Sequence, residues 1–170
     1  MIVVLMGVSG SGKTTIGTVL AERVGALFAD GDDYHPPSNK QKMAAGQPLT
    51  DADRQPWLET LNGLLRGWFE SSQSGVLACS ALKESYRTML ASGMPEKTVT
   101  FCLLHASKDL LAKRLAERHH EFMSPQLLDS QLATLELPAD ALIVENDRTT
   151  NEVADEILAA IATEKEVNRR

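Results

Sequence analysis

Residues 7–14 read Gly7-Val8-Ser9-Gly10-Ser11-Gly12-Lys13-Thr14, directly behind the apolar run Ile2-Val3-Val4-Leu5-Met6. From Thr14 onward, Ile16, Val19, Leu20 and Val24 recur at helical spacing, and Gly25 supplies a stop. A buried strand, a glycine-rich turn and a helix, in that order, make a cradle for phosphate. The glycines let the backbone turn tightly and approach an anion. Successive N–H groups and the helix N-terminus then face it. Lys13 brings a point charge to the β- and γ-phosphates of a nucleoside triphosphate, and the Thr14 hydroxyl is suited to ligate Mg²⁺. Gly7, Val8, Ser9, Gly10, Ser11, Gly12, Lys13 and Thr14 are therefore the candidate nucleotide-binding residues.

Outward from this stretch the chain keeps alternating between two periods. Short apolar strands are predicted at Ala26–Ala29, Val76–Cys79, Thr98–Leu104 and Ala141–Val144. Between them lie helical patterns: a short one at Asn39–Ala45, then a long amphipathic one behind Thr50, whose spacing to Asp53 resembles an N-terminal cap. Further helices are predicted at Lys83–Leu90, Lys108–Arg118, from Pro125 to Thr134, and Asn151–Ala162. Five strands alternating with helices indicate an α/β protein: a five-stranded parallel sheet with helices on both faces, of the P-loop NTPase class. With 170 residues and no internal repeat or linker, residues 1–170 read as a single domain. Seventeen Lys and Arg against 23 Asp and Glu leave a net charge of −6, which argues against a nucleic-acid partner. No apolar run is long enough to span a bilayer, and the first run lacks a cationic start, so neither a membrane nor a signal peptide is expected. Cys79 and Cys102 sit in separate strands without metal-ligand spacing and read as buried thiols of a reducing compartment. A soluble cytoplasmic protein is expected.

In a parallel sheet, ligands bind beyond the carboxyl ends of the strands. The second strand leads into Asp30-Gly31-Asp32-Asp33-Tyr34-His35-Pro36. Of the two carboxylates two residues apart, Asp30 and Asp32, one can hold Mg²⁺ and the other can accept the proton of an attacking hydroxyl. An acidic acceptor needs a cation opposite. Arg54, Lys83 and Arg87 would share the mouth with Asp32, and a guanidinium matches a carboxylate through two parallel N–H bonds. The structural alternatives are a surface ion pair of Arg54 with Asp51 or Asp53, a solvated Lys83 and an exposed Arg87. His35 can bond a sugar hydroxyl or tether its own loop. Trp57 and Trp68, spaced among leucines, read as core.

Three blocks carry a resemblance. The first runs Asp30-Gly-Asp-x-x-His35-Pro36-x-x-Asn39-x-x-Lys42-Met43-x-x-Gly46-x-Pro48-Leu49-x-Asp51-x-Asp53-Arg54-x-Pro56-Trp57-Leu58. The second is Cys79-Ser80-Ala81-Leu82-Lys83-x-x-Tyr86-Arg87, and the third Asp129-Ser130-Gln131-Leu132-x-Thr134-Leu135-Glu136. Together they resemble the P-loop type of gluconate kinase over essentially the whole chain. That resemblance implies ATP, Mg²⁺ and D-gluconate as ligands and 6-phospho-D-gluconate as product. It also implies a nucleoside-monophosphate-kinase-like fold with strand order 2-3-1-4-5 and a lid at about residues 114–125. Related small-molecule kinases imply Asp32 as the base, which leaves Asp30 with Thr14 for the metal. Arg114 and Arg118, one helical turn apart, fall in the implied lid and are expected to stabilise charge on the transferring group. The lid departs from the family pattern at His119-His120-Glu121-Phe122-Met123; the two histidines lack a third ligand at metal spacing. Asn146-Asp147-Arg148 stands where a guanine reader would show Asn-Lys-x-Asp, which favours adenine. Members of the family are often dimers, so a homodimer is implied, although no self-complementary surface is legible. Shikimate kinase shares the Asp-x-Asp but carries three glycines where this chain has Cys79-Ser80-Ala81-Leu82-Lys83. The reading outside enzymes is a nucleotide-binding switch.

Overall fold

The computed structural model describes residues 1–117 and 125–167, without the side chains of 125–126 and 164–167. β1 (Ile2–Met6) is buried at every position because it has a strand on both edges and helices on both faces. It pairs in parallel with β3 (Gly75–Ala78), setting Val3 opposite Val76, and with β4 (Val99–His105), setting Leu5 opposite Cys102. β2 (Leu27–Asp30) flanks β3, and β5 (Leu142–Glu145) flanks β4. The parallel order β2-β3-β1-β4-β5 is the one the resemblance implied.

The continuous apolar run of β1 is two alternating sets. Ile2, Val4 and Met6 meet Trp57, Leu61 and Leu65 of α3 (Asp51–Glu70) and Tyr86 and Leu90 of α4 (Glu84–Ala91). Val3 and Leu5 meet Ile16 and Leu20 of α1 (Lys13–Val24) and Val153 and Ile157 of α7 (Thr150–Val167). Trp57 and Trp68 are in the core as expected. Gly75 opens β3 directly against Trp68: a Cβ there would stand 2.1 Å from the indole. A third, smaller cluster lies at the carboxyl end of the sheet. It joins Val8 and Leu82 to Leu111 of α5 (Lys108–Glu117) and Leu128 of α6 (Pro125–Thr134).

The strands after β1 shift by a single residue from expectation. A larger difference follows β2, where the chain enters a 3₁₀ turn, Gly31–Tyr34. Its cause is local: Asp30 Oδ1 accepts a hydrogen bond from the Asp32 N–H at 3.0 Å and caps the turn. α2 (Pro37–Ala44) starts two residues before the expected Asn39, because Pro37 already holds a helical φ and gives up no bonded N–H at that position. α3 begins at the expected cap: Thr50 Oγ1 accepts from Asp53 N–H at 3.1 Å, and Asp53 Oδ2 from Thr50 N–H at 2.8 Å. α7 runs on to Val167, past the expected end at Ala162. Arg118 and His119 to Ser124, including the histidine pair, lie outside the described residues. Both cysteines are free and buried, and burial pushes the Cys79 thiol up to about 12. Among the described residues no helix is long and apolar enough to cross a membrane.

Candidate active site

The glycine-rich stretch forms the turn between β1 and α1. Lys13 Nζ donates to the carbonyls of Gly7 and Val8, each at 3.0 Å, so the ammonium lies across the start of the turn. Gly12 caps α1 in the left-handed region, φ 91°, and a Cβ on it would meet Asn146 Nδ2 at 2.4 Å. Only glycine satisfies both conditions. Asn146, just past β5, is buried and braces the turn: its Nδ2 donates to Ser11 O at 2.7 Å and its own N–H to His105 O at 2.7 Å. Its carbonyl accepts from Arg114 Nη2 at 2.7 Å. Gly12, Thr15, Arg114, Asn146, Arg148 and Thr150 line a cleft of about 280 Å³. Asn146 and Arg148 of the segment after β5 thus face the glycine-rich turn across this cleft. Ser11 Oγ and Arg114 Nη1 are buried polar atoms that lack a hydrogen-bond partner among the described residues, and a polar ligand would complete them.

The acidic turn faces the other side of the cradle. Asp30 Oδ2 accepts from Thr14 Oγ1 at 2.6 Å while its Oδ1 holds the turn. Two hard oxygens, one hydroxyl and one carboxylate, therefore stand together at the first turn of α1. Asp32 keeps 79% of its side chain exposed, with Oδ1 at 3.9 Å from His35 Nε2, beyond hydrogen-bond range.

His35 is buried and stacks on Trp57, with centroids 4.1 Å apart and planes 16° from parallel. Trp57 Nε1 in turn donates to Gly31 O at 2.7 Å, so the indole carries the turn as well as the core. Asn39 Nδ2 donates to Asp53 O at 2.8 Å and lies 3.3 Å from His35 Nδ1. The carbonyl of Asp53 fixes which end of the Asn39 amide is nitrogen. Its second N–H then makes His35 Nδ1 the acceptor, and the ring proton sits on Nε2, on the Asp32 side. Burial first, then the positive charges of Arg54 and Lys40, lower the His35 pKa to about 4. His35 is a neutral donor at neutral pH.

Arg54 forms neither of the ion pairs considered for it. Its Nη1 donates to Leu49 O at 2.5 Å and to Tyr86 OH at 3.4 Å. Asp53 is held by Lys42 Nζ instead, at 2.8 Å from each carboxylate oxygen. Asp51 accepts from Lys83 Nζ, at 2.9 Å on each oxygen, and from the Tyr86 hydroxyl. The Tyr86 hydrogen bond, then that of Lys83, hold Asp51 below the usual carboxylate range. The Arg54 guanidinium and the Lys83 ammonium stand 5.6 and 5.5 Å from the Tyr86 ring centre. Both cations are thereby fixed by one aromatic ring. Arg87 is buried, not exposed: its Nη1 donates to Ala81 O at 3.1 Å and Leu82 O at 3.3 Å, and burial lowers its pKa. It holds the loop after β3, in which Ala81 takes a positive φ of 42°.

Asp51, Tyr86 and Asn39 were not singled out from the sequence as site residues. The signals were present but ordinary: Asp51 in the first turn of a capped helix, Asn39 four residues after His35, Tyr86 between Lys83 and Arg87.

A shikimate kinase family model matches residues 9–162. The chain is 46% identical over 158 residues to a gluconokinase of Gluconobacter oxydans, covering 91% of this chain and 88% of that one. A crystal structure of a gluconokinase from Sinorhizobium meliloti superposes with a TM-score of 0.88 at 40% identity, covering 98% of this chain and 94% of that one. An unliganded sugar kinase from Janibacter superposes with a TM-score of 0.86 at 39% identity, covering 93% and 92%. The likeness over nearly the full length of both chains, at about two residues in five, is to gluconokinases. The chain belongs to the gluconokinase family.

Proposed function

We propose that the protein transfers the γ-phosphoryl group of ATP to the terminal hydroxyl of D-gluconate, giving 6-phospho-D-gluconate and ADP. The observation that carries this is the mouth beyond the strand ends. There the 3₁₀ turn after β2 carries an exposed carboxylate, Asp32, and the elements after it carry the Arg54–Tyr86–Lys83 cluster. Open-chain gluconate has its acid at one end and its reacting hydroxyl at the other. The hydroxyl end goes to Asp32, which takes the proton as the new O–P bond forms. His35 donates Nε2–H to a sugar hydroxyl. Arg54 holds the carboxylate, supported by Lys83 and by Arg87 through the loop it ties down.

Lys13 serves the β- and γ-phosphate oxygens, with the backbone of residues 7–14 around them. Arg114 acts from the cleft side and Arg118 from the lid, about 114–125, within one domain of residues 1–170. The all-oxygen pair of Thr14 and Asp30 fits Mg²⁺, which takes one or two protein oxygens and leaves the rest to phosphate and water. When bound, the ion would neutralise charge on the phosphate oxygens. Two buried free thiols suit a cytoplasmic enzyme.

The test is a coupled ADP-release assay with Mg²⁺ and ATP, run without acceptor and then with gluconate, shikimate and sorbitol. Turnover that needs gluconate is the expected result. Turnover with shikimate would move the chain to that activity, and slow hydrolysis indifferent to acceptor would make it a switch.

A further inference from the structure

One contact to the cradle comes from an element with no role so far. Ser9 N–H donates to Gln131 Oε1 of α6 at 2.7 Å, across 122 residues of chain. Ser9 belongs to the end of the turn that the Lys13 ammonium occupies. Lys13, the phosphate lysine, lies on the carbonyls of Gly7 and Val8 immediately before it. Gly7 N–H donates to Ser80 O at 3.3 Å, which sets this end against the loop after β3 on the acceptor side. The cleft beside Asn146 borders the rest of the turn and the start of α1, at Gly10, Gly12 and Thr15.

Helix α6 is fastened to both loops. Leu128 and Leu132 pack with Val8 and Leu82. Just beyond the helix, Glu136 N–H donates to Leu82 O at 2.8 Å, and Glu136 Oε2 accepts from Glu84 N–H at the start of α4 at 2.7 Å. Gln131 thus stands on a helix that bridges the cradle and the loop after β3. Because Ser9 contributes a donor, the bonded end of the Gln131 amide is oxygen and the other end is NH₂. Among the described residues that NH₂ has no hydrogen-bond partner. A carboxamide that accepts from a cradle amide and leaves two donors unused at the Lys13 end of the turn suits a group that is all acceptor, a phosphoryl oxygen.

We propose that Gln131 is a ligand of the γ-phosphoryl group: Oε1 fixes the Ser9 amide, and Nε2–H donates to an oxygen of the group in transfer. This rests on the kinase reading above. As the P–O bond to ADP breaks and that to gluconate forms, with the hydroxyl proton passing to Asp32, Gln131 exchanges no proton. It stabilises charge on a phosphoryl oxygen. It also links α6 to the presence of a third phosphate.

The test compares Gln131→Glu with Gln131→Ala. Glutamate keeps an oxygen for Ser9 N–H but loses both donors and adds negative charge; alanine loses everything. Affinities for ADP and for a non-hydrolysable β,γ-imido triphosphate are measured with Mg²⁺, alongside kcat with gluconate. In Gln131→Glu the triphosphate Kd should rise tenfold or more, a charge-assisted bond being lost, while the ADP Kd stays within twofold. Its kcat should fall at least as far as that of Gln131→Ala. If Gln131→Glu behaves as wild type while Gln131→Ala fails, only the clip on Ser9 matters and the proposal is wrong. It is equally wrong if ADP and triphosphate affinities change alike or neither changes. Should Gln131→Glu not fold, Gln131→Met carries the same binding comparison. Failure of the wild type to bind ADP would instead sink the nucleotide reading, and failure to turn over gluconate the acceptor reading; the two-nucleotide comparison decides the Gln131 proposal separately.

Discussion

The nucleotide side and the acceptor side of this site are built by different means. The cradle proposed for the nucleotide is eight consecutive residues that offer backbone amides, one lysine and one hydroxyl, braced from afar by Asn146. The acceptor mouth has no such backbone motif. It is a set of side chains from α2, α3, α4 and the flanking residues His35 and Lys83 that hold one another: His35 on Trp57 and Asn39, Arg54 and Lys83 about Tyr86, Lys83 on Asp51. A nucleotide offers the same phosphates whatever the acceptor, so a local backbone solution suffices. The acceptor differs between enzymes, and its recognition rests on residues that can be exchanged singly. Substitutions on the two sides should therefore separate cleanly into effects on rate, on ATP and on gluconate.

The largest separation is expected at Asp32. Asp32→Asn keeps the shape but cannot take the hydroxyl proton, so kcat should fall by roughly 10²–10⁴ while ATP affinity stays within a few fold. Asp30→Asn should instead raise the Mg²⁺ requirement, because Asp30 is the carboxylate beside Thr14. A Mg²⁺ titration giving the reverse pattern would exchange the two roles. On the cradle, Lys13→Ala removes a preorganised charge at the phosphates and should cost about 10²–10³ in rate. Retention of more than about a tenth of wild-type turnover would contradict that role.

The same contrast governs how much of the molecule is legible in its amino-acid sequence. The cradle, the five strands and the Thr50–Asp53 cap are patterns among near neighbours, and they are where expected. The 3₁₀ turn is not a hydrophobic pattern at all; it exists because the Asp30 side chain caps it. Asp51, Tyr86 and Lys83 meet across 32–35 residues, and Asn146 reaches Ser11 across 135. Those pairings follow from strand order and helix packing, and no local spacing encodes them. Arg54, Lys83 and Arg87 were legible as cations on the segments that follow β2 and β3. That Arg87 is buried on two carbonyls while Lys83 is shared with Asp51 was not.

His35 offers a comparison through pH. Its pKa is about 4 in the folded protein against 6.5 ordinarily, so between these values the unfolded chain binds a proton that the folded chain does not. Stability from this residue is complete above pH 6.5 and declines as pH falls towards 4, by at most about 3 kcal/mol. In His35→Gln that share of the decline should vanish. The measurement is the difference in Tm between wild type and variant at pH 7 and at pH 4.5: the wild type should lose more on acidification. Parallel losses would mean that His35 is protonated freely in the folded state. The cradle has no such buried imidazole, so ADP affinity at pH 7 should be the same in both proteins.

Arg54 gives the smallest of these effects and the most specific. Its guanidinium is fixed by Leu49 O through Nη1 and by the Tyr86 ring, and it stands at the first turn of α3. The acid end of gluconate must lie some distance from Asp32, because the reacting hydroxyl is at the opposite end of the chain. A cation on a neighbouring element, not on the cradle, must therefore hold it. A charge-assisted pair of this kind contributes about 1.5–3 kcal/mol. Arg54→Ala should raise the gluconate KM by roughly 10–100-fold and leave the ATP KM nearly unchanged. It should also erode the preference for gluconate over the neutral polyol sorbitol, which no loss of overall stability would do. Arg54→Lys keeps the charge but not the fork and should recover only part of the loss. If Arg54→Ala leaves the gluconate KM within twofold, the carboxylate is held elsewhere. Lys83 is then the first to test, since releasing it from Asp51 would leave its ammonium at the same mouth.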